Sequence, residues 1–351
     1  MAIKVIQWAT GGVGRASVAG IVAHPDLELV GCWVHSPDKV GVDVGDLCGI
    51  DPIGVAATND VDALLALGAD CVVYSPIMAD PSMVARILAS GANVVTPLGW
   101  FFPAGRDESA IEAACAAGGS SVHGTGIHPG GITERFPLMV SALSQSITHV
   151  RAEEFSDIRT YDAPGVVGDI MLFGKTPEEA DASMMPAILG DGFGQSIRMI
   201  AHALGFALDP DLSVSHEVAV ATAPIDSPIG PIAPGRIAAQ KFRWVATVRG
   251  EPVITVATNW FMGQDDLNPP WGFGPEGERF EVEVTGDPDA RVTFRGWHPD
   301  SIAAGLARNP GVVATATHCV SAVPAVVAAP PGIRTYLDLP AYTGKAAGHL
   351  R

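Results

Sequence analysis

The stretch Ser121-Val122-His123-Gly124-Thr125-Gly126-Ile127-His128-Pro129-Gly130-Gly131 carries four glycines and two histidines behind a short apolar run. A loop so rich in glycine is costly to hold as a mere connection, because each glycine gives up much backbone freedom on folding. An imidazole there, ionising close to neutrality, is suited to hold or move a proton. His128 is therefore the candidate catalytic residue, with a hydrogen bond to a ligand amide or to backbone as its plainer use. His123 reads instead as a buried ring with satisfied nitrogens.

A second chemistry-bearing stretch is Ala9-Thr10-Gly11-Gly12-Val13-Gly14-Arg15, which follows the strand-like Ile3–Trp8 and opens a small-residue helix over 16–23. A strand, a glycine turn and a helix N-terminus together suit a dinucleotide pyrophosphate, because free helix N–H groups face the anion. Gly11, Gly12, Val13, Gly14 and Arg15 are the expected contacts. The spacing is G-x-x-G with Ser17 three residues on, short of the strict G-x-G-x-x-G fingerprint, and a bare tight turn is the alternative. After the second strand (27–34), the tip that reads the adenosine ribose carries His35, Ser36 and Lys39, with Asp38 further along. A carboxylate at that tip favours the 2′-hydroxyl of NAD, whereas these groups suit a 2′-phosphate. The expected cofactor is NADP, with NAD as the alternative; Ser36-Pro37-Asp38 is also a sound turn.

These groups need elements to hold them. Strand-like runs at 70–74 and Asn93–Thr96 alternate with helical patterns at 61–67, Pro81–Ala89 and 109–117, which argues for a doubly wound parallel sheet. Ligands in such sheets lie beyond the carboxyl ends of the strands. That topology places Ser75, Pro76, Thr96, Gly99 and Gly126 on the nicotinamide half of the cofactor. Trp100 and Phe101 follow directly and are candidate walls of a substrate pocket, with ordinary packing as the alternative. A helix over 132–143, opened by Glu134, is expected to lead out of this domain, the carboxylate favouring its dipole.

From about residue 148 the alternation becomes that of half-buried strands, at 150–155, 212–223, 238–248, Glu251–Phe261, 279–285 and 291–296, with helices at 177–185 and 194–204. The fold class is α/β: an N-terminal Rossmann-type doubly wound parallel sheet, then an α+β domain with a mostly antiparallel sheet. The expected domains are 1–145 for the dinucleotide, 146–300 for substrate and dimerisation, and 301–351 as a C-terminal helix and tail. Short helix 303–306 and the apolar run 311–328 belong to the last, which is expected to pack back on the first domain. Tyr161 and Phe173, with Asp162 and Asp169 near them, are candidate substrate contacts. Trp260, Phe261, Met262, Trp271 and Phe273 add apolar surface, which favours a bulky apolar small molecule.

Among 351 residues, 48% are hydrophobic and 17% charged, so the chain is globular. A net charge of −17 argues against nucleic acid or an anionic membrane as partner. The five cysteines are scattered without metal-ligand spacing, so no metal is expected and a reducing, cytoplasmic setting fits. The opening strand leaves no room for a signal peptide, and no apolar run of about 20 residues suggests a membrane span.

Taken together, several stretches resemble one family. Gly14-Arg15 is similar to the turn of dihydrodipicolinate reductase-like nucleotide domains. Gly124-Thr125-Gly126-Ile127-His128-Pro129-Gly130, Lys175-Thr176-Pro177-Glu178-Glu179 and the tail from Ser321-Ala322-Val323-Pro324 to Ala329-Pro330-Pro331-Gly332 resemble the 2,4-diaminopentanoate dehydrogenase and native amine dehydrogenase family. The resemblance implies an enzyme using NADP(H) that interconverts a ketone plus ammonia with an amine, and a homodimer formed through the sheet domain. Three departures stand beside it. The His-His-x-x-Lys motif of true dihydrodipicolinate reductases is missing. Asparagine in the family loop is His128 here. The family's ammonia-activating glutamate after the strand ending at Thr96 is replaced by Leu98-Gly99-Trp100-Phe101. An ammonia-independent carbonyl reductase and a non-catalytic NADP-binding sensor are the alternatives.

Overall fold

The computed structural model describes residues 2–274, 277–295 and 309–351. The chain divides into two compact units: Met1–Gly130 with Val312–Arg351, and Gly131–Gly311.

In unit 1, Ile3–Trp8 (β1), Gly12–Ala23 (α1) and Leu27–Trp33 (β2) form the expected strand–turn–helix–strand. Val44–Cys48 (α2), Ala57–Thr58 (β3), Val61–Leu65 (α3), Cys71–Tyr74 (β4), Pro81–Ala89 (α4), Asn93–Thr96 (β5), Ser109–Gly118 (α5) and Ser121–Gly124 (β6) follow. α4 begins where Asp80 accepts hydrogen bonds from the backbone of Ser82 and Met83, with Pro81 in its first turn. Every residue of β4, β5 and β6 is buried, as expected for central parallel strands covered on both faces.

Unit 2 opens with a π-helical turn, Gly131–Arg135, and Phe136–Ser141 (α6), where one continuous helix was expected. Gln145–Asp157 (β7), a second π-helical turn Val166–Ile170, Pro177–Asp181 (α7) and Met185–Leu204 (α8) come next. Then come Ser213–Ala221 (β8), Ile237–Val248 (β9), Glu251–Phe261 (β10), Leu267–Asn268 (β11), Arg279–Asp287 (β12) and Ala290–Arg295 (β13). The strand order is β11-β8-β9-β10-β7-β12-β13. β7 and β10 are parallel and the remaining pairs antiparallel, so the sheet is mixed. The unit boundary falls at Gly130 rather than 145, because the π-turn and α6 pack against β7, β12 and α8.

One face of this sheet carries the core. Val150 and Ile254 lie in register there, as do Val256 and Trp244; all four are fully buried, and the Trp244 ring meets Phe193 of α8 at 4.7 Å. Truncating a buried tryptophan of this kind to alanine costs on the order of 3–5 kcal/mol.

The chain returns to unit 1 from Val312. Pro310–Val327 (α9) is long and apolar enough, by length and composition, to cross a membrane, which corrects the expectation that no run suggests a span. Its Cys319, Val320, Val323 and Val326 are buried with Val5, Val18 and Ile21, as in the core helix of a globular unit. Gly332–Ile333 (β14) adds an edge strand beside β6 that two residues of sequence do not announce. The parallel sheet has the order β14-β6-β5-β4-β1-β2-β3, which contains the doubly wound order 3-2-1-4-5-6. The expected helix 303–306 and the strand end at Gly296 lie outside the described residues.

Candidate functional site

The glycine turn fits a pyrophosphate. α1 starts after Gly11, which gives no side-chain cap, so its first N–H groups are left for an outside acceptor. A Cβ on Gly14 would stand 2.1 Å from the Ala9 carbonyl oxygen, so only glycine lets α1 approach the end of β1. Ala9 itself has φ +77°, the conformation for which glycine is normally used. The motif is therefore Ala9-x-Gly11-x-x-Gly14, the dinucleotide fingerprint with alanine in the first glycine's place, which the spacing Gly11–Gly14 alone concealed. Buried Gln7 holds this corner: its amide donates to Ala9 O at 3.0 Å and to Ser75 Oγ at 2.9 Å. Gly12, Val13 and Arg15 are half-exposed on α1.

Beyond β2, His35 is exposed while Ser36 and Lys39 are half-buried. Lys39 Nζ donates to Thr10 Oγ1 at 3.2 Å, so the ammonium lies against the glycine turn. Ser75, Thr96 and Gly126 are buried, and Pro76 and Gly99 half-buried, at the carboxyl ends of β4, β5 and β6 or just beyond them. Gly130 (φ +129°) closes tightly on Gly126, and a Cβ there would lie 2.2 Å from the Gly126 oxygen. His128 is half-buried between them.

The loop is also held from the C-terminal tail. Thr125 Oγ1 meets His318 Nδ1 at 3.0 Å and the Tyr336 hydroxyl, and His318 Nδ1 lies 2.9 Å from the Gly126 oxygen. His123 is fully buried, its Nδ1 2.6 Å from the Arg334 oxygen, a satisfied interior histidine. The sequence reading missed His318 and Tyr336, for nothing local to them signals a contact with Thr125.

Trp100 (φ +55°) and Phe101 are buried, and Trp100 packs with Ile111 and Val122 in the unit 1 core. Its indole N–H donates to Glu108 at 2.9 Å. Glu108 is thus a carboxylate following β5, bonded to Trp100 and within 3.4 Å of Arg106. In unit 2, Phe173 is fully buried in the core, and Tyr161 is half-buried. Burial and the neighbouring Glu154 push the Tyr161 hydroxyl up. Asp162 and Asp169 are exposed, and Asp169 pairs with Lys175 at 3.6 Å.

Glu134 corrects the expectation of a carboxylate serving a helix dipole. It is fully buried in the π-turn, where burial pushes it up to about 8 against a hydrogen bond from Ser196. A helix N-terminus would shift it the other way. Glu154 and Glu278 are pushed up to about 8 as well, each chiefly by burial. Cys32, Cys71, Cys115 and Cys319 are free and buried, and Cys48 is free and half-buried. Among the described residues no cluster of His, Cys, Asp and Glu has the geometry of a metal site.

The model of the 2,4-diaminopentanoate dehydrogenase C-terminal domain matches residues 132–349. An amine dehydrogenase of Streptomyces virginiae is 32% identical over 354 residues, covering 96% of this chain and 96% of that protein. The 2,4-diaminopentanoate dehydrogenase of Acetoanaerobium sticklandii is 28% identical over 233 residues, 66% of this chain and 60% of that protein. The solved structure of an amine dehydrogenase from Mycobacterium smegmatis superposes with a TM-score of 0.78 over 98% of both chains at 21% identity, and so shares the fold. A family model spanning most of the chain and a relative matched along nearly its full length agree: the chain belongs to the 2,4-diaminopentanoate dehydrogenase and amine dehydrogenase family, and it is an NAD(P)-dependent oxidoreductase.

Proposed function

We propose that this enzyme carries out reductive amination, converting an apolar ketone or aldehyde, ammonium and NADPH into an amine, NADP+ and water. Similarity to the Streptomyces virginiae amine dehydrogenase over 96% of both chains carries this reading. A dinucleotide held by its pyrophosphate at the glycine turn would supply hydride from its nicotinamide; the protein orients the acceptor carbon and manages protons. Gly11–Gly14 with the N-terminus of α1 would hold the pyrophosphate, and Ser36 and Lys39 the 2′-phosphate. The reading of NADP rests on the β2 tip, where Lys39 donates to Thr10 and Asp38 is exposed. His128 would exchange the proton with the product nitrogen. Homodimer formation through the unit 2 sheet is part of the proposal. NADPH oxidation followed with and without ammonium tests the reaction.

The second reading is ammonia-independent carbonyl reduction. It is favoured by the residues after Thr96, where no carboxylate occurs before Asp107 and Glu108, and Glu108 is bonded to Trp100.

A further inference from the structure

The C-terminal tail reaches the glycine loop by strand register. β14 runs parallel to β6, with Gly332 beside Ser121 and Ile333 beside Val122. One residue further, Arg334 comes level with His123, whose Nδ1 donates to the Arg334 oxygen at 2.6 Å. The same offset of 211 residues carries Tyr336 level with Thr125, and their hydroxyls are hydrogen-bonded. Asp338 fixes the turn that follows, accepting from the Thr335 N–H and hydroxyl at 2.8 Å each. The second hold on the loop is α9. Its His318 Nδ1 lies 2.9 Å from the Gly126 oxygen and 3.0 Å from Thr125 Oγ1, and Cys319 Sγ donates to the Thr125 oxygen at 3.3 Å. All of these residues lie in unit 1.

The polar groups in this cluster have fixed roles. A carbonyl only accepts, so His318 carries a hydrogen on Nδ1 and donates it to Gly126. Nδ1 then has no lone pair for Thr125 or Tyr336 to donate into, which leaves their two hydroxyls to bond each other. The Tyr342 hydroxyl lies 3.4 Å from both Thr125 Oγ1 and His123 Nε2, closing the chain toward Arg334. Both ends of the chain are backbone carbonyls, which suits it to hold geometry and not to relay a proton. The segment it holds has little of its own to fix it. Thr125 stands between Gly124 and Gly126, and glycine has the widest backbone freedom. Thr125 is fully buried, and its N–H donates at 2.8 Å to the oxygen of Thr96, where β5 ends.

We propose that His318 and Tyr336 are positioning residues for the cofactor. Acting through Thr125 and Gly126, they hold loop 124–130 in the shape that receives the nicotinamide end of the dinucleotide. This rests on the reading that puts Thr96 and Gly126 on the nicotinamide half, beyond the carboxyl ends of the strands. Affinity for the whole cofactor then depends on how often the loop is in that shape. A loop competent in only a fraction of molecules binds more weakly by that fraction, so a lost hold that leaves about one loop in ten competent weakens binding about tenfold. The adenosine half is read at the glycine turn and the β2 tip, and its affinity does not depend on this loop.

The test is calorimetric binding of NADPH and of 2′,5′-ADP, which carries the adenosine half alone, to the full chain. NADH and AMP take their places if NADH binds the tighter. Wild type is compared with Tyr336→Phe, His318→Leu, Thr125→Val, Thr125→Ser and Lys345→Ala. Tyr336→Phe, His318→Leu and Thr125→Val are each expected to weaken NADPH about tenfold and to leave 2′,5′-ADP unchanged. Thr125→Ser keeps the hydroxyl and is expected to keep wild-type affinity. Lys345→Ala frees the tail from Asp26, an ion pair at 2.9 Å just ahead of β2, and is expected to change neither ligand. A tail that merely braces the unit would instead lower both affinities together. Unchanged NADPH affinity in Tyr336→Phe and His318→Leu, or equal losses of the two ligands, overturns the proposal alone. NADPH bound no tighter than 2′,5′-ADP by wild type removes the nicotinamide reading and the proposal with it. A poorly folded His318→Leu or Thr125→Val leaves Tyr336→Phe, which loses one oxygen, to decide.

Discussion

Ser196 of α8 donates its hydroxyl to the Glu134 carboxyl, and the second Glu134 oxygen is buried without a hydrogen-bond partner. Burial raises this group from its ordinary 4.5 to about 8. The folded protein therefore holds a proton that the unfolded chain releases, and the associated stability is fully present below the unfolded value. It is lost as pH rises through about 8. Glu134→Gln removes that linkage. The urea midpoint of wild type is expected to fall between about pH 5 and about pH 8 more steeply than that of the variant. Parallel profiles would contradict the burial argument.

Gly14→Ala puts a methyl group 2.1 Å from the Ala9 oxygen. α1 must then move off the end of β1, at a cost of about 1–3 kcal/mol. Because the helix N-terminus moves with it, NADPH binding is expected to weaken about tenfold or more. Fluorescence titration of NADPH reads this directly, and unchanged affinity would place the pyrophosphate elsewhere.

The β2 tip makes a comparison between cofactors. Replacing Ser36 and Lys39 together by alanine removes two donors suited to a 2′-phosphate, and is expected to weaken NADPH about tenfold to a hundredfold. NADH is expected to lose much less, through the Lys39–Thr10 bond alone. Equal losses for the two cofactors would show that Lys39 only braces the turn.

His128→Asn keeps a hydrogen-bonding side chain and removes the imidazole proposed to exchange the proton. Its kcat is expected to fall while NADPH affinity stays near that of wild type. A variant with undiminished kcat would return His128 to a binding role.

How much of this was legible in the sequence depends on the distance over which each signal acts. The strand, glycine turn and helix over 3–23 are local, and so are the alternating strands of unit 2. Ala9 shows why even a local motif can hide: its φ of +77° completes the fingerprint, and nothing in an alanine announces it. Glu153 and Glu154 show a harder limit. They are adjacent and chemically identical in the chain, yet strand alternation sends one toward Arg151 and Asn259 and the other into the interior beside Thr258. Only the pairing of β7 with β10 tells them apart. The contact of Thr125 with Tyr336 spans 211 residues and depends on α9 returning to the first sheet, so no window of sequence contains it.

The measurement that bears most directly on the central claim is the rate of NADPH oxidation with cyclohexanone and a panel of linear ketones and aldehydes, with and without concentrated ammonium. A rate that requires ammonium and yields the primary amine is the predicted result. A rate of the same size without ammonium, yielding the alcohol, would make this enzyme a carbonyl reductase on an amine dehydrogenase fold.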